Sequence, residues 1–229
     1  MSWAGATHLV EPRIDGSKLV EQHHLFYGFS GWGIVVVSSG PGNNTVYGLA
    51  QCWGVPDIIK QRCYPGIQGA VQKLLKSCPR STDAQIWCDY CSVRYSLDNF
   101  FGAFDASKYA LVKNMANYKD PKSLFSNLGP LFENIIRKIA DPAYSGIARA
   151  QIDLPGGDTL YGGAQCTADL RPPECSRCVD AAIKNFDNFC KPRQGCRVYL
   201  SSCLARHEVF NFSFPLTLGS RKSMMISSL

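Results

Sequence analysis

The sequence predicts an α+β protein made of two tandem domains, each an antiparallel β-sheet packed against one or two α-helices. Three observations point to that class. A cysteine-bearing block occurs twice, apolar residues follow each copy at helical spacing, and short β-branched or alternating runs flank those stretches.

The first block reads T-V-Y-G-L-A-Q-C and ends at Cys52; the second reads T-L-Y-G-G-A-Q-C and ends at Cys166. Cys63 and Cys175, Cys78 and Cys190, and Cys91 and Cys203 are each 112 residues apart, and Cys52 and Cys166 are 114 apart. Self-similarity at a near-constant offset marks one structural unit used twice. The chain of 229 residues therefore divides into two units, each long enough to bury its own core.

Element by element, Lys18–Phe29 reads as a short helix and Trp32–Ser38 as a strand, because Ile34 to Val37 are β-branched. Residues 40–44 form a turn cluster and Thr45–Cys52 a strand. Pro65 suits the first turn of a helix whose face carries Ile67, Val71, Leu74, Leu75 and Cys78. Ala84–Tyr95 reads as one or two strands, and residues 100–119 as a connection. Asp120 then caps a helix with Pro121 at its start and a stripe of Leu124, Phe125, Leu128, Phe132, Ile135, Ile136 and Ile139; Gly129-Pro130 should kink or split it. Thr159–Cys166 is a strand. Val179, Ala182, Ile183, Phe186 and Phe189 mark another helix, and Cys196–Phe210 is a hairpin or one bent strand. The resulting division is a divergent segment 1–40, a first repeat 41–100, a linker 101–117, a second repeat 118–212 and a mobile tail 213–229.

Composition excludes several classes. The net charge of +6 is spread over 24 basic and 18 acidic residues without a long run, so it describes a solvated surface and not a nucleic-acid interface. The richest apolar stretch, Phe26–Val37, is too short and glycine-interrupted for a membrane span. Residues 1–13 lack the basic start and apolar core of a secretory leader. Asn43 and Asn211 begin glycosylation triplets. Nucleophile-elbow, Walker, H-E-x-x-H and dinucleotide patterns are absent, and the carboxylates Asp180 and Asp187 fall on a helix surface. The expectation is a protein without catalytic residues, metal or cofactor.

Eleven cysteines suggest metal ligands in a reducing compartment and covalent staples in an oxidising one. The two C-x2-C pairs, Cys88/Cys91 and Cys175/Cys178, occupy non-equivalent positions in the two units and offer no clean four-ligand zinc set. His8, His23, His24 and His207 show no metal spacing either.

The two blocks, the run Cys166-x8-Cys175-x2-Cys178 and the closing segments Q-I-W-C-D-Y-C-S-V-R-Y-S and C-R-V-Y-L-S-S-C-L-A-R-H-E resemble the plant ginkbilobin-type cysteine-rich repeat, or stress-antifungal domain. The similarity covers roughly residues 41–100, where it is degraded, and 118–212, where it is strong. Two tandem copies are the arrangement of cysteine-rich repeat secretory proteins and of the outer parts of cysteine-rich receptor-like kinases and plasmodesmata-located proteins.

The resemblance implies Cys166–Cys175 and Cys178–Cys203 bridges, and Cys52–Cys63 in unit one despite its C-x10-C spacing. The family's partner for Cys190 is missing, and Cys196 can take its place through a small loop. Unit one has Gly66 where the third motif cysteine belongs, which orphans Cys91, and Cys78 has also lost its partner. On a regular strand Cys88 and Cys91 point to opposite sides, so the expectation is that Cys78 pairs with one of them and the other stays a free thiol, open to a disulfide-linked dimer.

The resemblance also implies a mannose-type sugar site formed by Arg197, Glu208 and an asparagine, Asn117 or Asn114, with Gln85 and Ser96 at the lost equivalents in unit one. An arginine fork and a carboxylate match vicinal hydroxyls; the alternative is that Arg197 and Glu208 form an exposed ion pair. The functional expectation is a secreted, apoplastic, carbohydrate-binding protein with an antifungal or stress-response role. The alternatives are a protein–protein interaction module with a partner at the cell surface, and a thiol redox sensor.

Overall fold

The computed structural model describes residues 34–39, 45–54, 56–141, 146–212 and 224–227. It divides into two compact units, one ending at Phe100 and the other beginning at Phe101. The helix expected over Lys18–Phe29, His8, the His23-His24 pair and Asn43 lie outside the described residues.

Unit one is a four-stranded antiparallel sheet with one described helix. Its elements are β1 (Ile34–Ser39), β2 (Val46–Cys52), α1 (Pro56–Ser77), β3 (Asp83–Trp87) and β4 (Cys91–Ser96), with strand order β1-β2-β4-β3. Ile67, Ala70, Val71 and Leu74 fall at i, +3, +4 and +7, so α1 presents one apolar face. That face packs with Ala50, Val93 and Tyr95 from the sheet. The helix begins at Pro56, and Pro65 lies inside it. The Cys52–Cys63 bridge ties its first turns to β2, and the buried face outweighs the one N–H that Pro65 lacks.

Unit two is larger: β5 (Tyr109–Asn114), α2 (Pro121–Ala140), β6 (Ile147–Asp153), β7 (Thr159–Cys166), α3 (Pro172–Ile183), α4 (Phe186–Phe189), β8 (Gly195–Leu200), β9 (Cys203–Glu208) and β10 (Met224–Ser227). The sheet runs β10-β5-β8-β9-β7-β6, each neighbour antiparallel. Asp120 accepts a hydrogen bond from the Ser123 N–H at 3.0 Å, and Pro121 takes a first-turn position where no intrahelical donor is needed. Leu124, Leu128, Leu131, Phe132, Ile135 and Ile139 are buried beneath the sheet. The helix runs through Pro130 without splitting. Three of those side chains, Leu128, Leu131 and Phe132, lie within four residues of the proline, and burying them at about 1.5–3 kcal/mol each exceeds a penalty of about 3 kcal/mol. The stripe from Val179 to Phe189 instead breaks in two, with α3 ending at Ile183.

Gly162, the first glycine of the second Y-G-G block, permits the close approach of helix and sheet. A Cβ there would lie 2.7 Å from Leu131 Cδ2 and 2.9 Å from Ile135 Cδ1.

Three sequence boundaries are corrected. Strand β1 pairs with β2, so the sheet of unit one begins before residue 41. The stretch read as a linker over 101–117 contains β5, which pairs with β8. The stretch read as a mobile tail contains β10, which pairs with β5. Strands β5 and β10 are short, and their places come from backbone hydrogen bonds to neighbours distant in sequence, which local patterning does not encode; β1 is legible as a strand, but not its membership of the first repeat's sheet. Strand β6, for which there was no sequence expectation, forms a hairpin with β7. Both units retain the expected class of antiparallel sheet, helix and disulfide.

Candidate functional site

Four disulfides are present: Cys52–Cys63, Cys166–Cys175, Cys178–Cys203 and Cys190–Cys196. Three close on a helix from a neighbouring strand or turn, so each locks helix to sheet. Cys78, Cys88 and Cys91 are free thiols.

Two expectations about those thiols are corrected. Cys78 bridges neither of the others. It follows the last residue of α1, and its carbonyl accepts the Tyr95 hydroxyl at 3.1 Å, which places it near the start of β3. Cys88 follows the other end of β3, five residues beyond Asp83, about 16 Å away along extended chain. A disulfide needs its Cα atoms within about 7 Å. Cys88 and Cys91 also do not face opposite ways. The chain reverses through Asp89 and Tyr90, and the Cys88 N–H donates to the Cys91 carbonyl at 2.7 Å. The parity rule holds only within one strand, whereas these two residues face each other across a turn.

Cys190, Cys196 and His207 place their donor atoms within 4.8 Å of one another. The two sulfurs are bonded to each other and offer no thiolate to an ion. His207 is wholly buried, with the rings of Phe125 and Phe186 edge-on to it at 5.9 and 5.0 Å. Burial, and then the Arg206 charge, push its pKa down to about 3.

The β8–β9 hairpin positions the residues expected to bind sugar. Its register sets Arg197 opposite Arg206 and Gly195 opposite Glu208. Side chains alternate along a strand, so Arg197, Arg206 and Glu208 share the sheet face turned away from the helices. Cys196, Val198, Cys203, Ala205 and His207 occupy the other face and enter the core.

Arg197 and Glu208 are therefore brought near one another, but not as an exposed ion pair. Glu208 is 1% exposed and Arg197 8%. The partner of Glu208 is Arg206, whose Nε and Nη2 both reach Oε1, at 3.0 and 2.9 Å. Burial, with Arg197 adding to it, pushes the Arg206 pKa down to about 10, and Glu208 acts against both. The Arg206 guanidinium also lies 4.3 Å from the centroid of the Phe212 ring.

Asn117 stands apart. It is exposed and forms a backbone bridge with Arg193. The other candidate, Asn114, is buried, and its Oδ1 accepts the Ala116 N–H at 3.0 Å. The expected trio is thus a buried arginine, a carboxylate committed to a different arginine, and an asparagine elsewhere.

The same construction recurs in unit one, one repeat earlier. Arg94 occupies the position of Arg206, opposite Gln85 as Arg206 is opposite Arg197. Its guanidinium lies 4.2 Å from the centroid of Phe100, and its Nε lies 3.9 Å from Asp83. Phe100 and Phe212 are 112 residues apart, as are Arg94 and Arg206. Sequence reasoning missed this pair because it followed cysteines. The common offset of the two arginine–phenylalanine pairs was the available signal.

A family model described as salt stress response/antifungal matches residues 17–98 and 111–209. The chain belongs to this family. Among relatives of the salt stress response/antifungal family, it is 39% identical over 173 residues to cysteine-rich repeat secretory protein 55 of Arabidopsis thaliana, covering 75% of this chain and 65% of that one. It thus spans just under two thirds of that relative's length. It is 32% identical over 183 residues to the antimicrobial ginkbilobin-2-like protein of Castanea crenata, covering 79% of this chain and 73% of that one. Two solved tandem DUF26 ectodomains of Arabidopsis thaliana share the fold. That of the cysteine-rich receptor-like protein PDLP8 matches with TM-score 0.66 at 23% identity, covering 84% of this chain and 86% of that one. That of PDLP5 matches with TM-score 0.62 at 24% identity, covering 91% and 99%. No described helix is long and apolar enough to cross a membrane.

Asp180 and Asp187, the carboxylates considered for acid–base work, each pair with a lysine one turn on, Lys184 at 2.7 Å and Lys191 at 2.8 Å. Asn211, the second glycosylation triplet, is exposed.

Proposed function

We propose that this is a secreted, apoplastic, non-catalytic recognition protein of plant stress or defence, and that its principal ligand is a protein at the cell surface. One observation carries the choice of ligand class. Glu208 is enclosed, and its Oε1 already accepts a hydrogen bond from Arg206 Nε and lies in ion-pair contact with Nη2. A sugar hydroxyl would have to displace a charge-assisted hydrogen bond and ion pair from a site with almost no solvent contact. The kinship with a secretory relative and the fold of two receptor-like ectodomains support the extracellular part of the reading.

A mannose-type glycan site is the second reading. It is favoured by Glu208 Oε2, which is buried without a hydrogen-bond partner, on the same face as Arg197. An opening of this face would offer a sugar one acceptor and one guanidinium.

The two readings separate in a binding assay against apoplastic wash. Retention of the protein should be abolished by prior protease treatment of the wash and survive enzymatic removal of its glycans. Calorimetric titration with mannose should then give no heat. Saturable mannose binding lost in both Arg197→Ala and Glu208→Ala, but not in Gln85→Ala, would establish the glycan reading instead.

A further inference from the structure

The hairpin joining β3 and β4 carries a second chemistry, independent of which ligand the protein recognises. Trp87 pairs with Ser92 and Ile86 with Val93, so Cys88 and Cys91 form the next pair and close a two-residue turn at Asp89-Tyr90. Alternation puts both on the sheet face that Ile86 and Val93 share, toward α1. Directly opposed, hydrogen-bonded residues on antiparallel strands have Cα atoms about 5.5 Å apart, inside the window a disulfide needs.

The two thiols differ in kind. Cys91 is buried, lies opposite Cys52 in the register, and its Sγ is 3.6 Å from where a Cβ on Gly66 would stand. Cys88 is half-exposed. A hydrogen bond from the Cys91 thiol, helped by the charge of Lys73, holds the Cys88 pKa below its ordinary value against burial and Asp89; the same bond and burial push Cys91 up. The thiol of the half-buried residue is the one prone to ionise, and that of the buried residue stays protonated beside it.

We infer that Cys88 is an oxidative modification site for a hydroperoxide, with Cys91 as its resolving thiol, and that the product is a fifth disulfide, Cys88–Cys91. With hydrogen peroxide as oxidant, the Cys88 thiolate attacks one peroxide oxygen and the O–O bond breaks. Hydroxide leaves, takes up a proton as water, and Cys88 becomes a sulfenic acid. The Cys91 sulfur then attacks the Cys88 sulfur, forming the S–S bond and expelling a second water. Overall two thiols lose two electrons and two protons, and one peroxide becomes two waters. Cys78 sits too far along β3 to intervene and remains a thiol.

The test counts thiols and maps bonds in the full chain. After treatment with a mild dithiol reductant, its removal and a check that the four other disulfides persist, alkylation in denaturant should label three cysteines. After hydrogen peroxide it should label only Cys78, and peptide mapping should show Cys88 linked to Cys91. Cys91→Ala should leave a sulfenic acid on Cys88 that dimedone traps. Cys88→Ser should slow thiol loss at least ~10-fold, as expected when the more acidic thiol is removed. Three labelled thiols after peroxide, a link to Cys78, a disulfide-linked dimer as the main product, or an unslowed Cys88→Ser variant would each overturn the inference. The wild-type map decides the matter even if either variant fails to fold.

Discussion

Glu208 occupies the space that a side chain at position 195 would fill. The two residues are opposed in the β8–β9 register, and a Cβ built on Gly195 would overlap the Glu208 carboxylate. Gly195 has no positive φ to explain it, so the requirement here is room and not backbone freedom. Gly195→Ala should therefore expel or distort the carboxylate that holds Arg206. A loss of about 1–3 kcal/mol is expected, the usual cost of overpacking. Thermal melts of Gly195→Ala and of the Gly195→Ala/Glu208→Ala pair check it: the double variant should lose less than the sum of the singles, and additivity would show that the two do not interact.

His207 makes stability depend on pH. Its pKa is about 3 in the folded chain, against about 6.5 when exposed in the unfolded one. Between those values the unfolded state binds the extra proton, so stability falls as the pH drops from about 6.5 toward 3. The limiting slope for one group is about 1.4 kcal/mol per pH unit. His207→Phe, which keeps the aromatic contacts with Phe125 and Phe186, should flatten denaturant midpoints measured across that range. An unchanged slope would place the titration elsewhere.

The disulfides should rank by loop length. Cys178–Cys203 spans 25 residues and Cys190–Cys196 only 6. Loop-closure entropy assigns about 3.5 kcal/mol to the first and about 2 kcal/mol to the second. Paired Cys→Ala variants compared by urea unfolding should show the larger loss for Cys178/Cys203. The reverse order would mean that packing around Cys190 and Cys196, and not chain entropy, sets their worth.

Arg206 over Phe212 and Arg94 over Phe100 should each be energetically coupled, by about 0.5–2 kcal/mol given their burial. Double-mutant cycles with Arg→Met and Phe→Leu in each unit measure this. Coupling in one repeat only would make the other pair an accident of the shared backbone.

The helices of unit two were legible from the sequence for a local reason. Asp120-Pro121 and the stripe from Leu124 to Ile139 are contacts within one turn or one face, and burial followed the stripe. The cysteine pairs were legible through the resemblance to the family's repeat, with Cys196 standing in for the missing partner of Cys190. The arginine–carboxylate partnership was not. Arg197 and Glu208 were read as a pair from their positions relative to Cys203, but register places Arg206 opposite Arg197, and Glu208 turns to it. Cys88 and Cys91 failed for a related reason, since parity cannot anticipate a reversal between them.

By itself the sequence determined the two-fold repeat and the α+β class, because both are written in spacings along one chain, and its resemblance to the family supplied the cysteine pairing. Only the tertiary structure decided which arginine Glu208 serves, which thiols meet, and that β5 and β10 join the second sheet. Those outcomes depend on strand register and chain reversal, and a shift of one residue in either would put the same side chains on opposite faces.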